Sequence, residues 1–200
     1  MRPASDINLL FVLRRFDAAQ ADLLREPFRV AQAAANVNAM FVLAEELPDA
    51  AQEFAQKFAD IMRRHVVLHG PDAVAALAIP RDALVRRVRQ VLLNLTIRLR
   101  ETYLARSLRD EQSAATLADV AGPLRTAAAA ILELEGRGPL PPKEALAALV
   151  DDFGRDDFRE LLPHLSEARE QRALPAGRAA ELFFATLELT RALHERATKL

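Results

Sequence analysis

The chain has 200 residues, a formal net charge of −1, 51% hydrophobic residues, 28% charged residues and no cysteine. This composition can form a buried core and is unlike that of a disordered tail, and the charge gives no general attraction to nucleic acid or anionic lipid. The absence of cysteine excludes disulfides, zinc–thiolate sites and cysteine catalysis. No apolar run approaches the roughly 20 residues that cross a bilayer, and the N-terminus lacks the pattern of a signal peptide. We therefore expect no membrane partner and a cytoplasmic location.

The first part of the chain is predicted to alternate strands and helices. An apolar run rich in β-formers at 7–13 predicts a strand buried on both faces, and a second run at 37–43 predicts its neighbour. Between the two, Asp17 is placed to cap a helix over 18–35, which Pro27 breaks or kinks.

A further helix and a very short strand are predicted to complete this part of the chain. Pro48 opens the helix, on which Phe54, Phe58 and Ile61 are spaced by four and three residues and so share one face. Residues 66–68 predict the third strand. A sheet of two or three strands is marginal alone, so we expect helices to pack over it.

Beyond Pro80 the sequence predicts helices only, because apolar residues recur in helical register between clusters of glycine and proline. The predicted helices cover 81–109, 112–135 with a kink at Gly122-Pro123, 143–153, 155–170 and 176–197. We therefore expect an α+β protein that is predominantly helical. Its predicted units are a small mixed unit at 1–79 and an all-α bundle at 80–200.

The segment from Ser5 to Leu13, Ser-Asp-Ile-Asn-Leu-Leu-Phe-Val-Leu, is the most informative in the chain. It resembles the second half of the signature of the polymerase-β-type nucleotidyltransferases, in which a Gly-Ser turn precedes a strand carrying Asp, an apolar residue and Asp. Carboxylates two residues apart on a strand point to the same face, so such a pair can hold two Mg²⁺ ions against a triphosphate. The resemblance implies a nucleotidyltransferase-like sheet, with Asp6 and Asn8 at the two ligand positions and Mg²⁺ as cofactor only if the site is active.

A second stretch extends the resemblance. Val67-Leu68-His69-Gly70-Pro71-Asp72 is similar to the closing segment of bacterial nucleotidyltransferase-like proteins, which precedes a long helix and then a helical domain. The similarity in layout covers most of the chain, whereas motif-level information is confined to residues 6–13 and 67–72.

The chain departs from the family's pattern at the metal site. The Gly-Ser turn belongs well before Asp6, and the chain begins too close to that residue to include it. The second ligand position holds Asn8, a neutral amide that binds Mg²⁺ poorly. The neighbouring strand offers Asn36 and Asn38 where a third carboxylate is required. We therefore expect a vestigial site, in which Asp6 is the one remaining metal ligand.

The predicted helix at 81–109 is strongly basic. It contains eight arginines against two acidic residues, a local excess of +6 (8 − 2). Arg86, Arg89 and Arg100 are the candidates for a phosphate or nucleotide site. Because no exposed aromatic residues alternate with the arginines, we prefer a solvated face neutralised by acidic neighbours, and we do not expect nucleic acid as a partner. The candidate neutralising residues are Asp110, Glu111, Asp151, Asp152, Asp156 and Asp157.

His65 and His69 are four residues apart, a spacing that suits a metal site on a helix. The residues between them are predicted to be extended, which separates positions i and i+4 by about 13 Å. We therefore do not expect a zinc pair here.

The function predicted from these features is non-catalytic binding: a degenerate nucleotidyltransferase-like protein that binds a protein partner or a nucleotide-like ligand. Two alternatives stay open. One is an active Mg²⁺-dependent nucleotidyltransferase completed by upstream sequence or by a second chain, and the other is a purely structural helical interaction module. A sheet edge beside apolar Leu9, Phe11 and Leu13 is an aggregation hazard, so we also expect a homodimer or a helix that covers this edge.

Overall fold

The computed structural model describes residues 7–35, 37–106 and 109–200. Within these ranges the fold is α+β and predominantly helical, as the sequence predicts, with one sheet of two parallel strands and eight α-helices. The chain forms two compact units, Met1–Pro80 and Arg81–Leu200.

The first unit contains a strand–helix–strand motif. Strand β1 (Ile7–Leu13), helix α1 (Ala18–Ala35) and strand β2 (Val37–Leu43) have the predicted bounds. Asp17 caps α1, since its Oδ1 accepts a hydrogen bond of 3.0 Å from the backbone N–H of Gln20. The two strands are parallel and in register over their whole length, which confirms that they are neighbours.

The two faces of the sheet pack against different helices. The even-numbered face packs on helices α2 (Leu47–Glu53) and α3 (Ala55–Arg64). The core on this side comprises Leu10, Val12, Met40, Val42, Leu47, Ala51 and Phe58. On the odd-numbered face, Phe41 stacks on Phe11 with ring centroids 4.8 Å apart, and Phe28 of α1 meets Phe41 edge-on at 5.3 Å. Strand β1 is half-buried rather than fully buried, because a sheet of two strands offers little cover.

Three local predictions for this unit are corrected by the structure. The helix expected from Pro48 is divided at Phe54, whose backbone leaves the helical region (φ −108°, ψ 39°). The side chain of Phe54 is 53% exposed instead of sharing a face with the fully buried Phe58. Residues 66–68 form exposed coil rather than a strand, since no described strand lies beside them to pair with. Pro27 lies inside α1 and does not break it, which corrects one of the two effects expected from this residue, while the kink stays a prediction.

The second unit is a helical bundle. Its helices in the described ranges are α4 (Arg81–Arg106), α5 (Asp110–Leu134), α6 (Pro142–Phe153), α7 (Asp156–Gln171) and α8 (Ala179–Ala197). Helix α5 contacts each of the other four, and α4 also packs along α8. The core is built mainly from leucine and alanine with two fully buried phenylalanines, Phe158 and Phe183. Helix α5 continues through Gly122 and Pro123, and the described residues beyond Pro80 contain no strand.

A network of ion pairs joins helices α6 and α8 and the residues that follow α5. The Nε and Nη2 atoms of Arg196 donate to the carboxylate of Glu135 at 2.6 and 2.7 Å, and Nη2 also lies 2.8 Å from Oδ2 of Asp152. Arg137 pairs with Asp152 as well. The hydrogen bonds from Arg137 and then Arg196 hold the pKa of Asp152 below its ordinary value. These contacts tie the end of α8 to α6 and to the residues that follow α5.

Candidate functional site

Two of the residues that the proposed resemblance assigns to a metal site lie at the start of the parallel sheet. The register places Asn8 of β1 directly opposite Asn38 of β2, and both side chains are exposed. They belong to the even-numbered face, which further along the strands enters the core. Because adjacent strands are about 4.8 Å apart, the two amides are side by side. Asp6 and Asn36 lie outside the described residues.

This pair of amides does not fit a site for two magnesium ions. Each amide offers one neutral acceptor oxygen, and Mg²⁺ gives up its water ligands only reluctantly to anything but anionic oxygens. Among the residues that the structure describes, no group of three or more histidines and carboxylates could hold a metal ion. The family pattern requires carboxylates at these two positions on neighbouring strands. In this chain both positions carry amides.

The side chain of His65 contacts Asp72, which lies seven residues further along the chain, and the backbone of Ile61. Its Nε2 lies 3.0 Å from Oδ2 of Asp72, and its Nδ1 lies 2.9 Å from the carbonyl oxygen of Ile61. Both partners are acceptors, so both ring nitrogens donate only in the imidazolium form. The hydrogen bond to Asp72 raises the pKa of His65, and the same bond lowers the pKa of Asp72. Sequence analysis missed this contact, because it considered His65 only as a metal ligand.

The three candidate arginines of α4 do not converge on one point. Arg86, Arg89 and Arg100 are all exposed, and Arg86 forms an ion pair with Asp82 one turn away. Arg89 and Arg100 make no ion pair with the residues described. A helix rises 1.5 Å per residue, so these two arginines are about 16 Å apart along the axis. A single phosphate group cannot contact both of them.

Four of the six acidic residues expected to neutralise α4 pair with arginines outside it. Asp151 and Asp156 pair with Arg159, Asp157 pairs with Arg155, and Asp152 pairs with Arg137 and Arg196. For the other two, Asp110 and Glu111, neutralisation of α4 stays a prediction. Helix α4 itself has seven arginines against two acidic residues, so its exposed face is positively charged.

A row of exposed apolar side chains runs along the same helix. Leu93 is 47% exposed, Ile97 51% and Leu104 87%. At 100° per residue, these three positions and Arg100 fall within a sector of about 60°, opposite the buried side of α4, and Arg89 borders the sector. Together they form the α4 stripe, which consists of Leu93, Ile97, Arg100 and Leu104, with Arg89 at its border. Sequence analysis missed the stripe, because it followed only the apolar residues that form the core.

No protein family, no curated protein and no solved structure matches this chain. In the part of the chain that the structure describes, no helix is long and apolar enough to cross a membrane. The nucleotidyltransferase resemblance therefore stays a prediction, which depends on residues 6–13 and 67–72.

Proposed function

We propose that this protein is a non-catalytic binding protein whose helical unit binds an acidic amphipathic helix of a partner protein on the α4 stripe. In the same proposal, the mixed unit derives from a nucleotidyltransferase in which amides replaced metal-binding carboxylates. The observation that carries the proposal is the coincidence, on one face of α4, of exposed apolar side chains with arginines that form no ion pair with a described residue.

The spacing of the α4 stripe suits a helical partner. Positions 93, 97, 100 and 104 are separated by four, three and four residues, which is the spacing of a heptad seam. An amphipathic helix that lies along this seam can place apolar side chains against Leu93, Ile97 and Leu104. A carboxylate beside them can pair with Arg100, which has no ion pair with the described residues.

The charge of α4 favours an acidic partner over a second copy of the chain. Helix α4 contains seven arginines and two acidic residues, an excess of +5 (7 − 2). Two such faces repel each other, whereas a negative helix gains complementary charge, faster association and a binding constant that falls with salt. The homodimer expected from the sheet edge thus receives no support from this face.

The test is a titration of the full 200-residue chain with a labelled helical peptide that has leucine at its a and d positions and glutamate beside them. The same peptide with lysine in place of glutamate is the control ligand. We expect binding of the acidic peptide only, with an affinity that falls as salt is added. Arg100→Glu should weaken binding by about tenfold or more, because it turns an attraction at the contact into a repulsion.

Arg98→Glu is the matched control variant. Arg98 is exposed on the same helix, and its substitution changes the charge equally, but it lies about 100° around the helix from Ile97 and outside the α4 stripe. Equal loss of binding in the two variants would show that only the total charge matters and would contradict the proposal. Dimerisation of the chain that Ile97→Glu abolishes would replace the partner protein with a second copy and would also overturn it.

A further inference from the structure

Helices α5 and α7 pack antiparallel, and side chains at the rim of their contact face one another. Each step of three residues towards the C-terminus of α5 therefore matches a step of three residues towards the N-terminus of α7. The facing pairs are Asp119 with Arg172, Gly122 with Arg169, and Arg125 with Ser166. Two arginines from different helices are therefore one turn apart on the same surface.

Gly122 lets the guanidinium group of Arg169 lie against the backbone of α5. A Cβ atom at position 122 would be 3.1 Å from Nη1 of Arg169, which is tighter than ordinary contact, and 3.7 Å from its Cζ atom, which is an ordinary van der Waals distance. Glycine is unfavourable inside a helix, so this close approach gives a reason for its presence at position 122. Gly122 therefore allows the charged guanidinium group of Arg169 to lie close to α5.

Arg125 lies half-buried next to Arg169. Its Nη2 donates to Oγ of Ser166 at 2.7 Å, and this hydroxyl in turn donates to the carbonyl oxygen of Leu162 at 3.1 Å. The Nε atom of Arg125 is buried and has no acceptor among the described residues. Burial and the nearby charge of Arg169 lower the pKa of Arg125, against the opposing effect of Glu170.

Neither guanidinium group forms an ion pair with a described residue, whereas Arg172, which directly follows α7, pairs with Asp119 at 3.1 Å. The two guanidinium charges repel each other, Glu170 offsets this repulsion only in part, and an oxyanion between them removes it. Guanidinium donors match the oxygens of phosphate in pairs. The Ser166 hydroxyl, whose proton is donated to Leu162, accepts from Arg125 and holds that guanidinium group in place.

We infer that Arg125 and Arg169, with Ser166 holding Arg125 in place, form a binding site for a phosphate group at the rim of α5 and α7. This site goes beyond the proposed function, since it is on other helices than the α4 stripe and requires no metal ion. The phosphate group can be the free ion or the terminal group of a phosphomonoester, because the two guanidinium groups recognise only phosphate oxygens.

The test is a titration of the full chain with inorganic phosphate, followed by NMR on the arginine Nε–H groups and by calorimetry. We expect saturable binding without Mg²⁺, and a shift of the Arg125 Nε–H signal. Arg169→Gln and Arg125→Gln should each weaken binding by about tenfold or more, because each removes a charge-assisted hydrogen bond. Arg191→Gln is the matched control, since Arg191 is an arginine of α8 that pairs with Glu188.

Gly122→Ala keeps both charges and tests the geometry alone. The new methyl group should displace the guanidinium group of Arg169 and weaken phosphate binding severalfold, while the helix itself becomes more favourable. Adenosine monophosphate that competes with phosphate would identify a phosphomonoester as the ligand, and binding of phosphate alone would identify the free ion. The inference is overturned if phosphate does not bind saturably, or if Arg169→Gln and Gly122→Ala bind it as the unchanged chain does.

Discussion

Removing most of the Leu104 side chain is predicted to weaken partner binding while leaving the stability of the protein unchanged. Leu104 is 87% exposed at the end of α4, so a partner helix would cover nearly all of it. Complete burial of a leucine contributes about 1.5–3 kcal/mol. Leu104→Ala should therefore lose roughly 1.5 kcal/mol of binding free energy, which is about a tenfold rise in Kd. The free energy of unfolding should change by less than about 0.5 kcal/mol, since the side chain makes few contacts in the free protein.

The assay is the acidic-peptide titration, with urea unfolding measured in parallel. Leu23→Ala is the control, because Leu23 is an exposed leucine (76%) on α1 and lies outside the α4 stripe. Equal affinity of Leu104→Ala and the unchanged chain would refute the assignment of Leu104 to the interface. A loss of affinity together with a large fall in unfolding free energy would instead show that Leu104 acts through folding.

Three further predictions concern the fold and its ionic contacts. Phe58→Ala removes the fully buried ring at the centre of the small core of the mixed unit, and should lower its free energy of unfolding by about 3–5 kcal/mol; unchanged hydrogen exchange in α2 and α3 would contradict this. The pKa of His65 should lie above 6.5 and fall in Asp72→Asn, as measured by NMR titration. Because the folded pKa of His65 is raised, the stabilisation from this contact is fully present below pH 6.5 and is lost as the pH rises through the folded pKa. At still lower pH the same stabilisation is lost again, as the pH falls through the lowered pKa of Asp72. Arg196→Gln leaves Glu135 half-buried without its two hydrogen bonds, and should cost about 1–3 kcal/mol in thermal or urea unfolding; an unchanged midpoint would be inconsistent with the network.

The secondary-structure elements whose bounds depend on residues nearby in the sequence could be predicted from the sequence. Strands β1 and β2 and helix α1 have the predicted bounds, because an apolar run of seven residues or a capping aspartate is decided locally. Residues 66–68 have strand-forming side chains but pair with neither of the two described strands, and pairing is not a local property. The division of the helix at Phe54 was missed for a related reason, since the apolar spacing continues across the break.

The candidate sites depended on contacts between elements and were therefore largely invisible in the sequence. The replacement of a metal ligand by Asn8 can be read from the sequence, but its alignment with Asn38 requires the strand register. Arg125 and Ser166 are separated by 41 residues, and no periodicity connects them. The kink that local rules predict at Gly122 stays a prediction, and the approach of the Arg169 guanidinium group to this residue could not be predicted from local rules.

The central claim is that this protein is a binding protein and does not catalyse nucleotidyl transfer. It is tested most directly by an assay for that reaction. The 200-residue chain and its Asp6→Ala variant are incubated with labelled ATP, GTP, CTP or UTP, with Mg²⁺ or Mn²⁺, and with candidate acceptors. We predict no metal-dependent product from either protein, because neutral amides repay the dehydration of Mg²⁺ poorly. A metal-dependent product that the chain forms and that Asp6→Ala abolishes would contradict the claim.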